Sequence, residues 1–142
     1  MRSLLDVNVV VALLDRDHIH HRSARSWLER EIHHGWASCA ITQNGVVRVM
    51  SQPRYPNSVT TAEAADLLTA ATRSAHHAYW SCDVSLIDPE VVDRSFLHGP
   101  RQVTDVYLLA LATSKSGRFV SFDGAVPIDA VRGARSENLV VL

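Results

Sequence analysis

The sequence predicts an α/β fold with a mostly parallel central sheet flanked by helices, on three observations. Short apolar runs of strand length alternate with longer segments of helical period. The first of these runs is continuous, as a strand buried on both faces requires. The spacing between runs leaves room for crossover helices, which implies right-handed connections.

The elements follow in order. Ser3 to Val7 reads as the first strand, with Asp6 near its C-terminal end. Asn8 to Leu14 reads as a helix, and His20 to His34 as a clearer one, with Trp27, Leu28 and Ile32 on one side and Gly35 as its stop. Trp36 to Ile41 is the second strand. Thr42 caps a helix that runs through Val46, Val47 and Val49 to Met50 and is ended by Pro53 and Pro56. Thr61 with Glu63 to Ala75 forms the next helix, and His77 to Cys82 the third strand. Asp88 and Pro89 start a short helix near Val91 and Val92. Thr104 caps the most apolar helix, DVYLLALATS, closed by Gly117. Arg118 to Phe122 is a fourth strand ending at Asp123, and Leu139 to Leu142 a last one.

Composition narrows the function. The 142 residues are 46% apolar and 20% charged, ordinary for a chain that buries one proper core. A formal net charge of −1 argues against a protein that grips nucleic acid over its whole surface, so any such contact is local. Of the 14 basic residues only Lys115 is lysine, and arginine suits bidentate phosphate contact, although arginine-biased codon usage explains the bias equally well. Asp6 interrupts the N-terminal apolar run and no clean cleavage site follows, so neither export nor a membrane span is expected. Cys39 and Cys82 form no C-x-x-C pair and read as reduced core residues, which points to the cytoplasm.

Three carboxylates stand where burial pressure is high. Asp6 and Asp123 end apolar strands, and Asp105 opens an apolar helix. A desolvated carboxylate is costly unless paired, hydrogen-bonded or bound to a cation, and C-terminal strand ends are where open parallel sheets bind ligands. Clustered hard oxygens select Mg²⁺ or Mn²⁺. Each residue alone has a plainer reading: Asp105 as a helix-dipole partner, Asp123-Gly124 as a turn, Asp6 as an acceptor for loop amides. Their shared context makes them candidates for one metal site. The eight histidines show no metal-ligand spacing and read as surface residues at helix ends.

L-L-D-V-N near the start, T-D-V-Y-L-L-A-L-A after residue 100 and V-S-F-D near residue 120 together resemble the PIN-domain nucleases, and within them the VapC-type toxins of bacterial toxin–antitoxin pairs. The helix start formed by Asp17, His20 or His21, Ala24, Trp27 and Leu28 belongs to the same likeness. The resemblance spans essentially the whole chain and implies a single PIN-like, three-layer nuclease domain over residues 1–142. It implies Asp6 and Asp105 as the principal Mg²⁺ ligands, Asp123 as the completing acid, and Asn8 and Thr104 in support. These nucleases usually carry a glutamate on the helix after the second strand, whereas Gln43 or Asn44 stands here. An amide supplies a carbonyl oxygen but no charge, so one well-held Mg²⁺ is expected rather than two. Asp129 is a candidate substitute acid, although its plainer reading is a surface residue.

The implied function is that of a toxin: metal-dependent hydrolysis of RNA phosphodiesters by an endoribonuclease, with Mn²⁺ as a substitute cation, a cognate protein antitoxin and a homodimer. Arg16, Arg48, Arg54 and Arg101 are candidate RNA contacts, and Tyr55 a candidate stacking surface, although for each the plainer reading is an ordinary surface residue. The alternative is a catalytically weakened PIN-like module that binds RNA or protein. An aspartyl-nucleophile phosphatase would need a second acid two residues after Asp6, where Asn8 stands.

Overall fold

The computed structural model describes residues 1–142. Strands β1 (Ser3–Leu5), β2 (Trp36–Ser38), β3 (His77–Tyr79), β4 (Arg118–Ser121) and β5 (Leu139–Val141) form one sheet in the order β3-β2-β1-β4-β5. Every neighbouring pair is parallel, with Leu5 opposite Val120 and Ser38 opposite Tyr79. Helices α1 (Val7–Leu14), α2 (His21–Glu31), α3 (Ala40–Met50), α4 (Thr61–Thr72) and α5 (Val103–Ser114) make the connections.

The chain steps outward from β1 to β2 and β3, then returns across β1 to β4 and β5. Right-handed crossovers therefore place the helices of the outward and return paths on opposite faces. The strand side chains alternate accordingly. Leu4, Ala37 and Phe119 join Val106, Leu108 and Leu109 of α5 in one core. Leu5, Trp36 and Val120 join Val9 of α1, Trp27 of α2, Val46 of α3 and Leu68 of α4 in the other. Three layers result, and burying each large aliphatic or aromatic side chain contributes roughly 1.5–3 kcal/mol.

The local stops are chemical. A 3-10 turn over Ile32–His34 extends α2 until Gly35, at φ 78°, turns the chain into β2. A Cβ there would lie 2.6 Å from the Arg2 guanidinium and 2.9 Å from the His76 carbonyl. Thr60 and Glu63 exchange hydrogen bonds at the start of α4, with Glu63 N–H donating to Thr60 Oγ1 at 3.1 Å and Thr60 N–H to Glu63 Oε2 at 2.9 Å.

Several expected boundaries move, and polar residues account for most of them. β1 stops at Leu5 because Asp6 caps α1, which Val7 opens. β2 stops at Ser38, and Ile41 is helical because α3 starts at Ala40. Thr42 is therefore not the cap; it lies in the first turn and accepts the Cys39 N–H at 2.9 Å. β3 ends at Tyr79, which leaves Cys82 exposed rather than in the core. The helix expected near Val91 and Val92 is absent: both N–H groups turn back to the Asp88 carbonyl, and Val92 then bridges Val131 antiparallel. A 3-10 turn over Pro100–Gln102 leads into α5, so Thr104 lies inside the helix and caps nothing. β4 ends at Ser121, one residue before Phe122. Three histidines are not surface residues: His18, His21 and His77 are half-buried, with His21 bonded to the Ala12 carbonyl (2.7 Å) and His77 to Ser38 Oγ (2.9 Å). No helix is long and apolar enough to cross a membrane.

Candidate acidic site

β1 and β4 are neighbours, yet the chain leaves them toward opposite edges of the sheet. Such a reversal opens a crevice at the C-terminal strand ends, the usual ligand position in an open parallel sheet. Asp6 sits at that point. Its N–H donates to the Val120 carbonyl at 2.9 Å, continuing the ladder one residue past β1. Its Oδ1 accepts the Val7 N–H at 2.7 Å and its Oδ2 the Ser121 hydroxyl at 2.8 Å. Only 9% of Asp6 is exposed. Burial pushes its pKa up, the two hydrogen bonds oppose the rise, and the charge of Asp123 adds to it.

Asp105 reaches the same point from the opposite layer, in the first turn of α5. Burial first, and then the charges of Asp6 and Asp123, push its pKa up to about 6. The three carboxylates thus lie close enough to repel one another. Asp123 is exposed just beyond β4; its N–H donates to Ser121 Oγ at 3.1 Å, and its Oδ1 accepts the Ala125 N–H at 2.8 Å, which is a turn contact. None of the five ion pairs in the chain reaches any of the three. The negative charge has no protein counterion.

No three His, Cys, Asp or Glu side chains close into a ready ligand cage. The donor set nevertheless suits a hard divalent cation, because Mg²⁺ keeps several of its own waters and is commonly held by one or two carboxylates. Asn8 and Thr104 are exposed beside Asp6 and Asp105 and make no hydrogen bond to the carboxylates.

Gln43 lies in the first half of α3 and is half-buried. Its Nε2 donates to Ser38 Oγ at 3.0 Å, and its side chain lines a cleft with Ala65, Leu68 and Thr69 of α4. The α3 residue that meets the start of α1 is Gly45, where a Cβ would lie 2.4 Å from Val7 Cγ2.

The other candidates are dispersed. Arg101 is exposed four residues before Asp105, whereas Arg16 follows the far end of α1, about 12 Å of helix from Asp6. Arg48 and Arg54 are exposed on the last turn of α3 and the turn after it. Tyr55 is not a free stacking surface: its hydroxyl donates to Asp15, and its ring is half-buried against the core beneath α1 to α4. Asp129 is exposed in the turn Ile128–Ala130. The residue that sequence reasoning missed is Ser121, which is fully buried and tied to both Asp6 and Asp123. Its signal was present, since a hydroxyl at the end of an apolar strand needs a partner when buried.

Residues 3–132 match the PIN domain family model, and over all 142 residues the chain is 58% identical to Ribonuclease VapC44 of Mycobacterium tuberculosis, covering 100% of both chains. The chain belongs to the PIN-domain family, in its VapC branch. Ribonuclease VapC39 of the same organism is 41% identical over 134 residues, 94% of this chain and 96% of that one. Among solved structures, VapC20 of Mycobacterium tuberculosis, a sarcin–ricin-loop-cleaving toxin, superposes with a TM-score of 0.63 at 12% identity, covering 87% of this chain and 92% of its own. VapBC2 of Rickettsia felis, bound to a DNA fragment from its promoter, superposes with a TM-score of 0.60 at 13% identity, covering 100% and 98%. These two likenesses concern the PIN fold alone.

Proposed function

We propose that this VapC-family protein is a divalent-metal-dependent endoribonuclease, the toxin of a toxin–antitoxin pair, acting in the cytoplasm as a homodimer and restrained by a cognate antitoxin. The observation that carries the reading is Asp105, a carboxylate pushed up to about 6 by burial and by two neighbouring acids, with no cationic side chain to offset them. The 58% identity to a protein named a ribonuclease supplies the substrate class.

In this reading Asp6 and Asp105 hold Mg²⁺, or Mn²⁺ in its place, and Asp123 serves the attacking water. Both Asp6 oxygens already accept one hydrogen bond, which fixes the carboxylate and leaves each a second lone pair for the cation. When bound, the cation compensates the negative charge that grows on the phosphate during in-line displacement. Asp123 Oδ1 is tied to the Ala125 N–H, so Oδ2 is the atom free to take the proton of the attacking water. Ser121 keeps Asp6 and the backbone of Asp123 in register. Asn8 and Thr104 flank the carboxylates, and Arg101 is the arginine placed to meet a phosphate entering beside α5.

Purified protein should cleave structured or transfer RNA with Mg²⁺ or Mn²⁺ and stop with EDTA, and Asp6→Asn should abolish cleavage. Undiminished metal-dependent cleavage by Asp6→Asn would sink the assignment. The amide at Gln43 or Asn44, where these nucleases usually carry a glutamate, favours a second reading, a catalytically weakened module that binds RNA or protein. That reading requires an RNA mobility shift without any cleavage.

A further inference from the structure

Six residues, Asp15 to His20, join α1 to α2, and they are held more firmly than a connection of that length requires. Asp15 accepts from the Tyr55 hydroxyl and from Asn57 Nδ2 (2.9 Å), and Asn57 Nδ2 also donates to Asp17 (3.0 Å). The His20 N–H donates to His18 Nδ1 at 3.0 Å, which locks the turn from within. His21, the next residue, is pinned to the end of α1 through the Ala12 carbonyl. The rings of the two adjacent histidines at the helix start therefore differ: that of His21 is tied to the end of α1, and that of His20 faces outward.

What this scaffold displays is apolar and aromatic. Ile19 is 88% exposed. His20 is exposed too, and its ring stacks on Phe122 with centroids 4.6 Å apart and planes 29° apart. Phe122 stands between Ser121 and Asp123, so although α1 carries the loop away from Asp6, the stack returns it to the strand end that bears the acidic site. Arg16 and Arg22, both exposed, flank the pair in the chain.

We infer that the outer face of His20, backed by Phe122, is a stacking platform for a nucleobase of single-stranded RNA next to the phosphodiester at the acidic site, with Arg16 and Arg22 meeting neighbouring phosphates. The inference rests on the ribonuclease reading above. Single strands are recognised by stacking bases on aromatic rings, histidine included, beside basic side chains that follow the backbone. A loop already fixed in position spares the ordering cost of binding. A protein partner would also use Ile19, but the flanking arginines and the continuity with Asp123 favour nucleic acid.

The test uses the full chain with Ca²⁺ in place of Mg²⁺ and a short mixed-sequence single-stranded RNA carrying 2-aminopurine, whose fluorescence falls on stacking. Wild type should quench it. His20→Ala should lose the quenching and raise Kd about fivefold to tenfold, the low end for one base on an aromatic ring. His20→Phe should restore both, and Phe122→Leu should weaken both while the Tm of His20→Ala stays within 2 °C or so of wild type. Unchanged quenching and Kd in His20→Ala overturn the inference, as does a loss that His20→Phe fails to restore and that tracks a fall in Tm. A change of oligomeric mass in His20→Ala with RNA binding intact overturns it in favour of a protein contact. If Asp6-dependent cleavage survives in those cases, the ribonuclease reading stands; if wild type neither binds nor cleaves RNA, both fail.

Discussion

Asp105 is a carboxylate whose folded pKa lies above its unfolded value, so its contribution to stability has a definite sign. The contribution is present while the proton is on, below about pH 4, and is lost as pH rises through about 6, where the ionised group faces Asp6 and Asp123. Without divalent cation, Asp105→Asn should therefore stabilise the fold near pH 8, by roughly 1–2 kcal/mol once its partial exposure is allowed for, and change little near pH 4. Thermal unfolding at both pH values with EDTA checks this; equal effects at the two would mean that the three acids do not share a field. Ser121→Ala removes one hydrogen bond to Asp6 and one from the Asp123 N–H. It should cost about 1–3 kcal/mol of stability and lower the cleavage rate about tenfold, read by denaturant unfolding and initial rates.

At the scale of elements, α3 is where sequence and structure part. The sequence puts Gln43 or Asn44 where the further acid of these nucleases is expected, and Thr42 at the helix cap. With α3 starting at Ala40, Gly45 meets Val7 and Gln43 meets Ser38. Gln43→Glu should therefore leave Mg²⁺ affinity within about twofold of wild type, measured by calorimetry, since an acid there binds the β2–β3 edge rather than the cation. Gly45→Ala should destabilise by about 1–3 kcal/mol through overpacking against Val7, measured as a lower Tm. The alternation of strands and helices was legible because apolar periodicity records burial. The cap positions were not, because Cys39 and Gln102 occupy them without the usual capping residue types.

At the scale of the molecule, the order β3-β2-β1-β4-β5 explains why three acids distant in sequence meet. The outward and return paths diverge between β1 and β4, so Asp6 and Asp123 flank the crevice and α5, on the other layer, adds Asp105. The two strand-end acids could be read from the chain, because charges at the ends of buried strands stand out. Their convergence could not, because strand order is a property of the packed sheet, and neither could Ser121 or the His20–Phe122 stack, whose partners lie about one hundred residues apart. In the proposed reading this convergence makes one divalent-cation site. Titration of Mn²⁺ into the apo protein by calorimetry tests it most directly: the expected result is about one ion per chain for wild type and no measurable binding for Asp105→Asn with its fold intact. Equal binding by the two proteins would contradict it.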